Sequence, residues 1–267
     1  MTLPPRPRAV VTGASGGLGV EFAKLLARDG YDLVLMARSR EKLERLAASL
    51  RAEHGVEATP FPLDLSTPEA VGAAVARVPE CDVLVNNAGF ATYGRFDRIA
   101  ESRVTEEVML DVVALTRLAR AYLPGMIARR AGKILNVAST AGFLPGPFMA
   151  VYYASKAYVI SFSQALSNEL AGTGVTATCF APGATRTGFA ERAGVQRSLL
   201  FRLPVAGAAE TARAGYDAMV RGKTMAVPRS LTNVLVGTGA RFVPRRLLLW
   251  ISRKAVEGEG YDERSQA

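Results

Sequence analysis

Thr12-Gly13-Ala14-Ser15-Gly16-Gly17-Leu18-Gly19 lies between the apolar run Ala9–Val11 and a stretch with helical spacing, Leu18–Arg28. Glycines here permit a tight strand-to-helix turn, and without side chains in the way the backbone N–H groups can approach a pyrophosphate. The start of the following helix favours that negative charge. Many glycine-rich turns are only turns. Placement at the first strand–helix junction makes phosphate binding the better reading of this turn.

Outward from this turn the chain alternates. Ala9–Val11, Asp32–Met36, Ala58–Leu63, Val83–Asn86, Lys133–Ala138, Thr176–Ala181 and Thr224–Val227 read as strands, several of them almost wholly apolar. Such runs suit a parallel sheet covered on both faces. Leu18–Arg28, Glu41–Glu53, Glu69–Val78, Arg103–Arg129, Tyr152–Leu170 and Ala208–Val220 show helical spacing, and Gly30, Gly172 and Gly222 stand where helices should stop. Regular β/α alternation implies right-handed crossovers and an α/β, doubly wound (Rossmann) seven-stranded parallel sheet flanked by helices. In such sheets the ligand sits beyond the carboxyl ends of the strands.

Residues after the strands carry the chemistry. The second strand ends at Ala37-Arg38, with Arg40 and Lys42 following. An acidic residue there would bind the ribose 2′-hydroxyl of NAD, whereas arginine can neutralise a 2′-phosphate; NADP(H) is therefore expected over NAD(H). A solvated strand end would explain the same arginine. Asp64-Leu65 follows the third strand and Asn86-Asn87-Ala88-Gly89 the fourth. By position Asp64 could accept from an adenine amino group, and the second turn could lie under the ribose, although either could be turn chemistry alone. The fifth strand ends at Ser139, and the next helix opens Tyr152-Tyr153-Ala154-Ser155-Lys156. Tyr152 and Lys156 are four apart and share a helical face. A tyrosine with an ordinary pKa of about 10 is a poor base at neutral pH; a neighbouring ammonium and an oxidised nicotinamide would both lower that value.

Composition limits the alternatives. His54 is the only histidine, which removes a Ser-His-Asp triad unless His54 itself serves. Cys81 and Cys179 are the only cysteines and form no CxxC, leaving too few ligands for zinc; no metal is expected. Neither a signal-peptide hydrophobic region nor an apolar run of about 18 residues is present, which points to the cytoplasm. The net charge of +9 is concentrated in residues 192 to 254, where twelve Lys/Arg face only Glu210 and Asp217. Stacking aromatics do not interleave with these charges, so no nucleic acid is expected. A membrane surface, an acidic carrier protein, an anionic substrate or a merely solvated face all remain open.

Taken together, the motifs resemble the short-chain dehydrogenase/reductase superfamily in its single-domain form. Thr-Gly-x-x-x-Gly-x-Gly at 12–19, Asn-Asn-Ala-Gly at 86–89, Ser139 thirteen residues before Tyr152, Tyr-x-x-x-Lys at 152–156, Pro182-Gly183 and Thr187 carry the likeness. Tyr31 to Ser66 looks most like the acyl-chain and steroid ketoreductase branch. The resemblance implies one NADP-binding Rossmann domain over 1–267, a substrate lid at about 187–206 and a basic extension at about 229–267. It implies Tyr152 as general acid in carbonyl reduction, Ser139 polarising the carbonyl, and Lys156 holding the nicotinamide ribose and depressing the tyrosine pKa. Gly13, Ser15, Gly17, Leu18 and Gly19 would cradle the pyrophosphate, with Arg38, Asp64, Leu65, Asn87, Ala88 and Gly89 toward the adenosine and ribose. Pro182, Gly183 and Thr187 would fix the carboxamide. Tyr153, with Ala157 rather than lysine four residues on, is assigned to packing or the pocket wall.

One position departs from the pattern. The family commonly has a water-anchoring asparagine in the helix after the fourth strand, but here the segment reads Met109-Leu110-Asp111-Val112-Val113. Asp111 could bind that water as an acceptor, and a buried carboxylate near Lys156 would alter the pKa balance; it could equally slow or abolish turnover. At the substrate end, Phe143, Leu144, Pro145, Phe148 and Met149 precede Tyr152, while Phe189, Leu199, Leu200, Phe201 and Leu203 follow Thr187. These suit a lipophilic ketone or 3-oxoacyl substrate, or core packing. The expected activity is an NADP(H)-dependent carbonyl reductase or alcohol dehydrogenase in a homo-oligomer. An NAD-dependent hydroxysteroid or alcohol dehydrogenase and a cofactor-binding regulatory protein are the alternatives.

Overall fold

The computed structural model describes residues 6–196, 198–199, 205–228 and 243–257. Seven strands form one parallel sheet: β1 (Arg8–Thr12), β2 (Asp32–Ala37), β3 (Ala58–Pro62), β4 (Val83–Asn86), β5 (Gly132–Val137), β6 (Val175–Phe180) and β9 (Met225–Ala226). Their spatial order is β3-β2-β1-β4-β5-β6-β9, so the chain reverses direction across the sheet between β1 and β4. A crevice opens there, beyond the strands' carboxyl ends. The expected doubly wound sheet is what forms. A two-residue pair, β7 (Thr185–Arg186) with β8 (Ala206–Gly207), adds a small second sheet that apolar periodicity gave no reason to expect.

Alternation along each strand divides the core. Ala9, Val11, Leu33, Leu35, Val83, Val85, Leu135 and Val137 face α1 (Leu18–Arg28), α2 (Arg40–His54) and α8 (Ala208–Val220), packing on Phe22, Leu26, Leu43, Leu50, Tyr216 and Met219. Val10, Val34, Met36, Leu84 and Ile134 face the other way, against α3 (Ala70–Arg77), α5 (Leu115–Ala128) and α6 (Ala150–Glu169). Each fully buried Leu, Ile or Phe in these layers contributes about 1.5–3 kcal/mol. Both faces are apolar because both are covered. Gly30, Gly172 and Gly222 all take positive φ at helix ends, as their spacing predicts.

The glycine turn is held by close contact. Gly13 and Gly17 have φ of +67° and +57°. A Cβ on Gly19 would lie 2.2 Å from the Gly13 carbonyl oxygen, so only glycine lets α1 start so near β1.

The long helix expected at Arg103–Arg129 is interrupted in its hydrogen bonding. It runs as α4 (Glu101–Val108), a π-helical segment (Met109–Ala114) and then α5. A π segment inserts an extra residue and re-aims the side chains on it. Asp111 and Ala114 turn into the core. The remaining described helices are α7 (Phe189–Ala193) and α9 (Arg245–Val256). No helix among the described residues is long and apolar enough to cross a membrane.

Candidate active site

Thr12, at the carboxyl end of β1, ties the glycine turn to the turn after β4. Its hydroxyl accepts from the backbone N–H of Asn87 (2.9 Å) and Ala88 (3.0 Å) and donates to the Val85 carbonyl (3.2 Å). The Asn87 amide donates to the Thr12 carbonyl at 3.0 Å and lies 3.4 Å from that of Gly13. Asn87 thus uses its side chain to brace the turn, a role its sequence position did not reveal. Asn86 turns its amide elsewhere: Nδ2 donates to Asn136, whose own amide donates to Ser163.

The turn fits a dinucleotide pyrophosphate. Gly17, at the N-terminal cap of α1, supplies no side-chain hydrogen bond, so the first N–H groups of the helix lack a side-chain partner. A Cβ on Gly16 would meet nothing within 4 Å, which leaves the floor of the cradle open. Thr187 lies across it, its Cβ 3.1 Å from where a Cβ on Gly17 would stand. Pro182 and Gly183 follow β6, and the Pro182 carbonyl accepts from Thr140 N–H at 2.9 Å, joining that loop to the one carrying Ser139. At the outer edge, Arg38 lies 3.8 Å from Asp64, both exposed. Asp64 Oδ1 is occupied by the Ser66 N–H and hydroxyl, which hold its carboxyl below the ordinary range against the opposing effect of burial. The Leu65 side chain, beside it, is buried in the core.

The catalytic candidates converge beyond β4, β5 and β6. Ser139 follows β5, and its Oγ accepts from Ala141 N–H at 3.2 Å. Tyr152 and Lys156 point inward from the first turns of α6, the ammonium 5.4 Å from the tyrosine ring centre. Lys156 Nζ forms an ion pair with Asp111 Oδ2 at 3.0 Å, both buried. The other Asp111 oxygen accepts from Phe90 N–H at 3.1 Å. Asp111 is thus a buried carboxylate in direct contact with Lys156. Gly89 makes room for this pair: a Cβ there would stand 3.0 Å from Asp111 and 3.2 Å from Lys156.

A second buried carboxylate escaped the sequence reading. Glu107, one helical turn before Asp111, is 0% exposed. Its Oε2 accepts from Thr92 N–H (3.0 Å) and hydroxyl (2.6 Å), whereas Oε1 has no hydrogen-bond partner. In the sequence Glu106-Glu107 looks like a solvated charge run. The signal available was the four-residue spacing to Asp111, which puts both carboxylates on one helix face.

Lys156 acts on Tyr152 in the expected direction, lowering its pKa, but it is not the only influence there. Burial pushes the Tyr152 hydroxyl above its ordinary value; Lys156 opposes this, but Asp111 and Glu107 reinforce it. Burial likewise pushes Glu107 up to about 7, with Asp111 adding to the rise and Thr92 opposing it. Lys156 is desolvated, yet the negative charge of Asp111, with that of Glu107 and Tyr152, wins and holds it cationic beyond the ordinary lysine range. One ammonium thus serves two carboxylates, which lose their protons as a coupled pair.

Toward the substrate side, Tyr152 and Met149 pack with Ala91, Ala190 and Ala193, joined by Leu144, Phe148 and Phe189. The Phe189 ring lies 5.3 Å from that of Tyr152. Tyr153 is buried against this cluster, in keeping with a wall residue. Phe143 instead packs beneath the site with Leu115 and Val159. Leu199 is exposed, and Leu200, Phe201 and Leu203 lie outside the described residues, as does most of the basic extension. Among the described residues no cluster of His, Cys, Asp and Glu could hold a metal.

This topology, glycine cradle and Ser/Tyr/Lys placement define a dinucleotide-dependent oxidoreductase of the Rossmann class. The family model for short chain dehydrogenases matches residues 7–197, and the chain belongs to that family. A short-chain dehydrogenase from Sphingobium yanoikuyae, solved in complex with NADPH, is 36% identical with a TM-score of 0.80, covering 88% of this chain and 94% of that one. The bulky-bulky ketone specific alcohol dehydrogenase from Comamonas testosteroni is 30% identical (TM-score 0.76), covering 96% of this chain and 98% of that one. A very-long-chain 3-oxoacyl-CoA reductase from Phaeosphaeria nodorum is 34% identical over 179 residues, 64% of this chain. The chain spans about half the length of that relative, 52%.

Proposed function

We propose that the protein is an NADP(H)-dependent carbonyl reductase acting on a lipophilic ketone or 3-oxoacyl substrate. The observation that carries this reading is the convergence of Ser139, Tyr152 and Lys156 beside the open glycine cradle. Bound NADPH supplies the hydride. Tyr152 Oη–H gives its proton to the carbonyl oxygen as that oxygen becomes an alcohol. Ser139 donates a hydrogen bond to the same oxygen, an oxyanion-stabilising role. The Lys156 ammonium stabilises the tyrosinate left behind. Arg38 supports NADP(H) through its position at the end of β2, where a 2′-phosphate would displace its weak, exposed contact with Asp64.

Phe189, Phe148 and Leu144 around Tyr152 support a lipophilic substrate, as do the ketone and 3-oxoacyl specificities named for the relatives. The segment at about 187–206, of which 197 and 200–204 lie outside the described residues, is proposed as a lid on the strength of Phe189 standing 5.3 Å from the Tyr152 ring. An apolar groove of about 380 Å³ lined by Val108, Val112, Ala150, Val151 and Ala154 supports pairing with a second copy through α4 and α6.

Oxidation of NADPH followed by absorbance over ketones, aldehydes and 3-oxoacyl thioesters tests the reading, with Tyr152→Phe as control. Turnover is expected in the native chain and its loss in the variant. The Asp111–Lys156 pair favours one second reading, a cofactor-binding protein with little turnover, because Lys156 is already engaged. Tight NADPH binding with no turnover on any substrate, reversed by Asp111→Asn, would support it.

A further inference from the structure

We propose that Glu107 is a positioning residue: a buried carboxylic acid that keeps a proton behind Asp111 and Lys156. By releasing it, Glu107 raises the proton affinity of Lys156 and Tyr152, favouring Tyr152 as acid in reduction over Tyr152 as base in oxidation. This rests on the catalytic reading of Tyr152 given above.

The geometry demands a proton. Glu107 is wholly inside the protein, and both donors that reach it, the Thr92 N–H and hydroxyl, bond to Oε2. Oε1 is left without a partner. An ionised carboxylate with one bare oxygen in the interior costs far more than a neutral carboxyl group in the same place. The charges agree. Among the described residues Lys156 is the one ammonium facing Glu107 and Asp111, and it is already in contact with Asp111 at 3.0 Å. Arg98, Arg103 and Arg192 line a cleft bordered by Thr92, all of them exposed to solvent, and Arg103 is paired with Glu106. Among the described residues the second carboxylate therefore has no buried counter-ion of its own, and neutralises. When it ionises, its proton passes to bulk water and one negative charge is added beside Asp111, Lys156 and Tyr152. That charge opposes formation of a tyrosinate.

Infrared titration of the protein without substrate tests this directly. The carbonyl stretch of a protonated carboxylic acid is expected at about pH 5, vanishing with a midpoint near neutrality, and absent from Glu107→Gln. The amide can still accept from Thr92. Coupling is reciprocal, so the same midpoint should fall in Asp111→Asn, which removes a like charge, and rise in Lys156→Met. Thr92→Val, which deletes one donor to Oε2, should also raise it. A purely structural Glu107 would show none of these movements. In alcohol oxidation, kcat/KM of Glu107→Gln should lose its inflection near neutrality. It should rise about tenfold for each unit by which the tyrosine limb moves to lower pH. The proposal is overturned if no acid band titrates near neutrality, if the band survives in Glu107→Gln, or if Asp111→Asn and Lys156→Met leave its midpoint unmoved. Should Glu107→Gln fail to fold, the Thr92→Val shift decides alone. None of the infrared outcomes needs a substrate, so silence of every ketone would defeat the reductase reading separately.

Discussion

Replacing Glu107 with glutamine should make the protein more stable at pH 8 than at pH 4 relative to the native chain, and the size follows from its surroundings. In the unfolded chain the carboxyl titrates at its ordinary value of 4.5; in the fold burial pushes it to about 7. Below the unfolded value both states carry the proton and the group contributes no difference. As pH rises above it, the unfolded chain releases a proton that the folded chain retains, so folding becomes progressively less favourable. Above the folded value the full penalty is present. A separation of about 2.5 pH units corresponds to about 3 kcal/mol. Glutamine cannot ionise and keeps the Thr92 hydrogen bonds, so it escapes the penalty. Urea unfolding followed by circular dichroism, at intervals from about pH 4 to about pH 9, measures the difference. Trp250, the only tryptophan, is 60% exposed and a poor fluorescence probe. The stability gap should open between about pH 4.5 and pH 7 and then level, a midpoint shift on the order of 1 M urea. Parallel stability curves for the two proteins would refute the assignment of a proton to this site.

Breaking the Asp111–Lys156 pair from either side should cost about 3–5 kcal/mol, because the survivor is buried with its partner gone. The double change Asp111→Asn with Lys156→Met should cost clearly less than the sum, and additivity in the denaturation cycle would count against a coupled pair. Gly19→Ala drives a Cβ into the Gly13 carbonyl. It should cost about 1–3 kcal/mol and abolish NADPH binding measured by nucleotide fluorescence, so unchanged binding would contradict the close approach of α1 to β1. Arg38→Asp should weaken NADPH about 10- to 100-fold in a binding titration while leaving NADH unimpaired. Equal losses for both nucleotides would remove Arg38 from the 2′-phosphate site.

Much of the architecture was legible along the chain because its causes are local. The alternation of Ala9, Val10 and Val11 between two covered faces is a property of strand geometry, and it shows as an unbroken apolar run. The crowding at Gly19 and the shared face of Tyr152 and Lys156 likewise depend on residues a few positions apart. Such features survive translation into sequence, since the chain's own geometry sets them.

The chemistry of the site was decided elsewhere. Sequence placed Asp111 in a helix; only packing, with a π-helical segment turning it inward and Gly89 leaving space, brought it against Lys156. Spacing gave Tyr152 a neighbouring ammonium and so a lowered pKa. Tertiary structure added burial and two carboxylates, and the balance moved upward. Asn87 has the same amide in any fold, but its use as a brace required the Thr12 and Gly13 carbonyls to stand beside it. Glu106 and Glu107 are adjacent and identical in kind, yet one pairs with Arg103 at the surface and the other is sealed behind Thr92. The energy of a charge depends on how much water it loses and which charges surround it. Both are set by residues distant in sequence, and the fold alone brings them together.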